Sequence, residues 1–86
     1  MEAIFTEQGR KDFLALEKSL QKFFQDHINK LAAMPPRRHM KFGVPYHVED
    51  VTRQARLVYE IEGETMFITH CFATHKEYEK WYNSFR

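Results

Sequence analysis

The chain has 86 residues, with 13 lysines and arginines, 12 aspartates and glutamates and a net charge of +1. This length suits one domain, residues 1–86, which buries only about 60% of the surface of its unfolded chain. The lone Cys71 excludes an intrachain disulfide, and no apolar run approaches the ~20 residues of a membrane span. With a polar start that is unlike a secretory signal, the composition favours a cytoplasmic protein with no membrane partner.

The charges are unevenly distributed along the chain. Residues 1–34 balance to zero, residues 35–59 carry five basic and two acidic side chains (+3), and residues 60–86 carry three basic and five acidic ones (−2). Basic side chains that cluster on one face bind phosphate groups. The central segment therefore suggests an RNA-binding surface, with an ordinary solvated loop as the alternative. The candidates are Arg37, Arg38, Lys41 and Arg53.

The first 34 residues have a helical pattern. Residues 3–5 are a short apolar run that suits an edge strand, and Thr6 offers an N-cap oxygen for a following helix. Pro35 and Pro36 end the helical pattern because proline disfavours helix geometry. The apolar positions fit one amphipathic helix or, with a break near Ser19, a helical hairpin. They are Phe13, Leu16, Leu20, Phe23, Phe24, His27, Ile28 and Leu31.

After residue 45 the period changes to two, which indicates strands. The segments 46–51 and 55–61 are rich in β-forming residues, and Gly63 suits a tight turn before a third, mostly apolar strand at 65–72. Thr74 and Glu77 then form a capping box. The helix that follows presents an aromatic face of Tyr78, Trp81, Tyr82 and Phe85.

The junction between the last strand and this helix concentrates reactive residue types. His70 and Cys71 are adjacent on a strand and point to opposite faces, so they do not share a metal site, and no second cysteine is present. Cys71 fits a buried core position without a cation to lower its pKa. His75 and Lys76 stand in the first helical turn, where free N–H groups favour an anion.

The two preceding strands supply further candidates. His47 and Glu49 share one strand face by parity, and Arg56 lies on the next strand. If the strands pair antiparallel through a short turn, the three side chains could form one accessible surface. The alternatives are a surface histidine and a weak surface ion pair between Arg56 and Glu60.

Two segments carry a resemblance to toxins of the RelE/ParE superfamily, which belong to type II toxin–antitoxin pairs. They are "ARLVYEI" (55–61) and "ITHCFATHKEYEKWY" (68–82). The resemblance implies an α+β fold, in which a small twisted, mainly antiparallel sheet packs against an N-terminal helix or helical hairpin, with a short C-terminal helix. It also implies a metal-independent endoribonuclease that cleaves mRNA on the ribosome, uses no cofactor and is controlled by a cognate antitoxin.

The resemblance also implies roles for individual residues. Arg56 and Lys76 would stabilise the phosphorane, and His75 would act as general acid. Tyr82 would stack on a base or assist proton transfer. His47 or Glu49 would be the general base, although a glutamate stands here where the family pattern has a lysine. The alternatives are a ParE-like gyrase inhibitor and a non-catalytic module that binds an antitoxin or RNA.

Overall fold

The structure is a computed structural model that describes residues 1–34 and 46–84. Arg37, Arg38, Lys41, both early prolines and Phe85 lie outside the described residues. None of the described helices is both long and apolar enough to cross a membrane. The elements, in chain order, are β1 (Glu2–Phe5), α1 (Glu7–Ala15), α2 (Lys18–Ala32), β2 (His47–Asp50), β3 (Arg56–Glu62), β4 (Thr65–Phe72) and α3 (His75–Asn83).

The helical stripe of the front half forms a hairpin of two helices. Thr6 caps α1 as predicted, because its hydroxyl accepts a hydrogen bond from Gly9 N at 3.1 Å. The break comes at Leu16, whose extended backbone ends α1. The Gln21 side chain then donates to the carbonyls of Phe13 (3.0 Å) and Leu16 (3.2 Å) at the end of α1. These two hydrogen bonds fix the end of α1 against the start of α2.

The strands form one sheet in the order β1-β4-β3-β2. β1 runs parallel to β4, and the other two pairings are antiparallel. The apolar β4 is therefore central, as predicted, and β1 is an edge strand among the described residues. Gly63 has φ 62 in the turn between β3 and β4, a left-handed conformation that glycine adopts without a steric penalty. The α+β prediction is confirmed.

A β-bulge at Thr69 changes which side chains of β4 point to each face of the sheet. Val58 pairs with His70, whereas the next residue, Tyr59, pairs with Ile68, so Thr69 has no partner on β3. Its hydroxyl instead donates to the carbonyl of Val58 at 3.1 Å. Because the extra residue restarts the alternation, Ile68 and Cys71 both point to one face of the sheet although they are three positions apart.

The main core lies between that face and the helical hairpin. α2 contributes Phe24, Ile28 and Leu31, all at most 5% exposed. Phe5 and Phe13, with ring centroids 5.1 Å apart, close the end of the core next to α1. The sheet contributes Leu57, Tyr59, Met66, Ile68 and Cys71, together with Val51 and Ala55 from the loop between β2 and β3.

Gly9 allows α1 to approach β4 closely. A Cβ atom at this position would overlap the carbonyl oxygen of Ile68 and lie 2.8 Å from its carbonyl carbon. The same carbonyl accepts hydrogen bonds from the backbone N–H and the hydroxyl of Thr6, at 3.0 and 3.1 Å. The start of α1 is thus attached to the middle of the sheet.

We expect Gly9→Ala to lower the free energy of unfolding by about 2 kcal/mol, because the overlap is with backbone that cannot rotate away. Helix propensity alone would raise stability by roughly 1 kcal/mol. The sign of the change in a urea titration therefore tests the close approach. Ser19→Ala at an exposed position of α2 is the control and should change stability by no more than about 0.5 kcal/mol. A stabilised Gly9→Ala variant would contradict the packing of α1 on β4.

Candidate functional site

The candidate site lies on the sheet face opposite the helical hairpin. Residues directly opposite each other in an antiparallel pair point to the same face. Arg56 is paired with Phe72, and Val58 with His70, so these four side chains share this face. α3 covers part of it and begins with the predicted capping box. Glu77 N donates to the Thr74 hydroxyl at 3.2 Å, and that hydroxyl donates to the Glu77 carboxylate at 2.9 Å.

An aromatic cluster joins α3 to the sheet. Trp81 packs on His70 with ring centroids 4.7 Å apart, on Phe72 at 5.6 Å and on Tyr46 at 5.2 Å. Tyr78 packs edge-on against Phe72 at 6.2 Å. Among the described residues, the aromatic face predicted for α3 therefore packs against other aromatic rings.

Arg56 is held by a ring of acceptors at the start of β3. Its Nη1 donates to the carbonyls of Thr52, Arg53 and Ala55 at 3.1–3.2 Å. Its Nε lies 3.0 Å from the carboxylate of Asp50, the residue directly opposite on β2. Only 13% of the Arg56 side chain is exposed. The guanidinium is thus fixed in position by backbone carbonyls and one carboxylate.

Tyr78 links Arg56 to the residues predicted on α3. Burial raises the pKa of the Tyr78 hydroxyl, Tyr82 raises it further, and the nearby Arg56 guanidinium opposes both. The Tyr78 ring lies 6.0 Å from the rings of His75 and Tyr82. The rings of His75 and Tyr82 therefore flank the ring of Tyr78, and Arg56 is near enough to influence the Tyr78 pKa.

His75 sits where α3 meets the loop between β2 and β3. Its backbone N–H donates to the Gln54 side chain at 3.4 Å, and its Nε2 lies 3.3 Å from the Glu79 carboxylate one turn along. Its Nδ1 is buried and has no hydrogen-bond partner among the described residues. Lys76 beside it is exposed. The imidazole is oriented by Glu79 and remains partly open to solvent, which suits proton transfer.

Comparison with solved structures identifies this arrangement of elements. The RelBE toxin–antitoxin complex of E. coli matches with a TM-score of 0.69 and 14% identity over 83% of this chain and 93% of the other. The RelB–RelE antitoxin–toxin complex of Methanococcus jannaschii matches at 0.67 and 12% over 91% and 96%. A metal-bound toxin of Helicobacter pylori matches at 0.67 and 19% over 90% and 97%.

The chain has the RelE/ParE toxin fold. At these identities the likeness is one of fold alone. The sequence matches no protein-family model and no curated protein.

On this RelE/ParE fold, the expectation that His47, Glu49 and Arg56 share one face is wrong. His47 is paired with Tyr59 and Glu49 with Leu57, so both point to the face of the main core. His47 is 9% exposed and its ring stacks on Tyr59 at 5.1 Å. Asp50, which the sequence analysis did not single out, takes the place beside Arg56. The reason is the register, because parity on one strand does not specify the face of the next.

The remaining predicted residues divide between exposed and undescribed positions. Arg53 is exposed in the loop before β3 and offers its carbonyl to Arg56. Arg37, Arg38 and Lys41 lie outside the described residues. Tyr78 was predicted as an aromatic packing residue and Gln54 was not singled out, since only the folded chain brings them to Arg56 and His75. The described residues contain no group of three or more potential metal ligands.

His70 and Cys71 occupy opposite faces of β4, as predicted. His70 stacks on Phe72 at 5.4 Å, and its Nδ1 is buried without a hydrogen-bond partner in the described ranges. Burial lowers the pKa of His70, and the Asp12 carboxylate opposes this in part. Burial, assisted by Asp12, raises the pKa of the Cys71 thiol to about 12. Both groups are therefore neutral in the folded protein near pH 7.

We expect the folded protein to lose stability as the pH falls below the ordinary His70 pKa of 6.5. The unfolded chain takes up a proton there that the buried imidazole resists, so His70 stabilises the fold fully only above that pH. Most carboxylates titrate lower, near ~4. His70→Phe keeps a stacking ring and should reduce the loss measured by urea titration between pH 7.5 and 5.5. If the parent and His70→Phe lose the same stability between these pH values, the loss does not come from His70.

We expect iodoacetamide to alkylate Cys71 at about pH 8 at least ~100-fold more slowly in the native protein than in concentrated urea, because the thiolate is the nucleophile. A raised pKa also implies that stability falls as the pH rises above the ordinary value of 9.0. Mass spectrometry of timed samples measures the rate. Equal rates in the two solvents would show that the thiol is open in the native state.

Proposed function

We propose that this chain is the toxin of a toxin–antitoxin pair and that it cleaves mRNA on the ribosome as a metal-independent endoribonuclease. The observation that supports this most directly is that His75 and Tyr82 lie beside Tyr78 on the helix that covers the sheet face of Arg56. A fixed cation, a partly exposed imidazole and two neighbouring tyrosines suit phosphoryl transfer. A ribosome that positions the mRNA also offsets the low net charge of the chain, which is +1.

The proposed reaction is transesterification within the RNA. The ribose 2′-OH loses its proton to water and attacks the adjacent phosphate, a 2′,3′-cyclic phosphate forms as the bond to the 5′-oxygen breaks, and the 5′-oxygen leaves with a proton. Arg56 binds the phosphate and, with Lys76, stabilises the charge that develops on the phosphorane. His75 gives the leaving oxygen the proton on Nε2, once this nitrogen turns away from the Glu79 carboxylate 3.3 Å from it.

The general base is neither of the two residues predicted for that role. His47 and Glu49 point to the core face, so neither lies beside the phosphate that Arg56 would hold. Tyr82, 6.0 Å from Tyr78, is the group we propose to assist the second proton transfer or to stack on a base. The surface thus has a role for each predicted residue that shares it.

A cognate antitoxin is the proposed partner. Two of the matched structures, from E. coli and Methanococcus jannaschii, are complexes of a toxin with its antitoxin. In this chain the N-terminal elements expose Ile4 (41%), Leu14 (63%) and Phe23 (53%), large apolar side chains that a bound protein would cover. The product of a neighbouring reading frame, co-expressed with this chain, should co-purify with it and restore growth.

We expect Arg56→Ala and His75→Gln each to lower cleavage of ribosome-bound mRNA by about 100-fold or more, because each removes a group that acts on the reacting phosphate. Primer extension on mRNA from a translation reaction with purified protein measures cleavage. Induced expression of the parent should stop growth, and both variants should relieve the arrest.

Arg10→Ala on α1, which packs on the other face of the sheet, is the matched control and should cleave like the parent. Circular dichroism and thermal unfolding of Arg56→Ala separate lost chemistry from lost folding. If folded variants at both positions cleave like the parent, the site assignment is wrong. If the parent arrests growth without cutting mRNA, a gyrase inhibitor replaces the ribonuclease, and a harmless parent would indicate a binding module.

A further inference from the structure

The guanidinium of Arg56 already holds an anion. A guanidinium binds phosphate or carboxylate through one of two edges, either Nε with Nη2 or Nη1 with Nη2. Nη1 of Arg56 donates to three backbone carbonyls, and Nε is 3.0 Å from Asp50. The Asp50 carboxylate therefore lies at the edge formed by Nε and Nη2, and the backbone carbonyls lie at Nη1.

The two occupants differ in how easily they can leave. The three carbonyls belong to residues 52–55, a loop closed by the hydrogen bond from Val51 N to Ala55 O at 3.0 Å. Asp50, by contrast, is 72% exposed at the end of β2, and its carboxylate can rotate into water. The guanidinium of this ion pair is mostly buried, but its carboxylate lies in water, which limits what the pair contributes to stability. When the Asp50 carboxylate moves away, a ligand can therefore reach the edge of the guanidinium formed by Nε and Nη2.

We propose that Asp50 occupies the phosphate-binding edge of Arg56 and that a phosphodiester must displace its carboxylate to bind. The carboxylate competes in two ways, by holding Nε and by repelling the negative charge of an incoming phosphate. The carbonyls on Nη1 keep the guanidinium in place when Asp50 leaves, so no rearrangement of β3 is required. This inference rests on the proposed function only for the identity of its ligand, an RNA phosphodiester.

Displacement of the Asp50 carboxylate by a phosphodiester involves only Asp50 and Arg56. Asp50 and Arg56 are directly opposite each other across the β2–β3 pair, so rotation of the Asp50 side chain breaks no backbone hydrogen bond of the sheet. On α3, the Glu79 carboxylate already pairs with the His75 imidazole at 3.3 Å. Removal of the Asp50 charge should therefore act through Arg56.

The test compares Asp50→Asn with Asp26→Asn, a control of equal charge change at an exposed position on α2. Inorganic pyrophosphate is titrated into each ¹⁵N-labelled protein while the Arg56 Nε–H resonance is followed by NMR. That resonance is identified by its loss in Arg56→Ala. We expect Asp50→Asn to bind pyrophosphate roughly two- to fivefold more tightly than the parent, and the gain to shrink as salt is added. Asp26→Asn should bind like the parent.

A second measurement uses a fluorescent single-stranded RNA oligonucleotide. Asp50→Asn should bind it more tightly than the parent, and the gain should vanish in the background of Arg56→Ala, since both changes act on one interaction. Weaker binding by Asp50→Asn in either measurement would overturn the inference and make Asp50 a positioning residue for Arg56. A gain equal to that of Asp26→Asn would overturn it too, by showing a general charge effect.

The two proposals can fail separately. If the parent neither binds nor cleaves RNA, the proposed function fails, and the pyrophosphate titration still decides whether Asp50 blocks Arg56. If cleavage is established and the pyrophosphate affinity of Asp50→Asn equals that of the parent, the ribonuclease stands and the competition by Asp50 is overturned.

Discussion

The register between β2 and β3 determines which polar side chains reach the surface beside α3. The loop that joins them is closed by the hydrogen bond from Val51 N to Ala55 O at 3.0 Å and by the Thr52 hydroxyl, which accepts from Ala55 N at 3.0 Å. With this loop, Asp50 stands opposite Arg56. A slip of one residue would exchange the faces of every side chain on β2. The environment of Arg56 is thus a consequence of loop geometry.

The bulge at Thr69 has the corresponding role on the other side of β3. It directs Ile68 and Cys71 to the core beneath the helical hairpin and leaves His70 and Phe72 on the face that α3 covers. In many antiparallel sheets, one face packs on the core and the other is exposed to solvent. Here the second face carries its own aromatic packing between α3 and β4, so the start of α3 is held near the β2–β3 loop.

The candidate site combines rigid and movable parts. Backbone carbonyls of the loop orient Arg56, and the capping box and Tyr78 position the first turn of α3. The Asp50 side chain, which is 72% exposed, is the part that can move. A preorganised cation needs little rearrangement to meet a developing negative charge, whereas an exposed carboxylate can be exchanged for another anion. This division gives the surface both a fixed geometry and a competitor for its ligand.

The sequence by itself determined the local features of this protein. The strand at 65–72, the capping box at Thr74 and the buried position of Cys71 were readable because each depends on neighbours within a few residues. The break between the two helices and the faces of His47 and Glu49 were not. The tertiary structure decided these, because a helix break depends on packing and a side-chain face depends on the register of a partner strand. Both are set by contacts between distant parts of the chain.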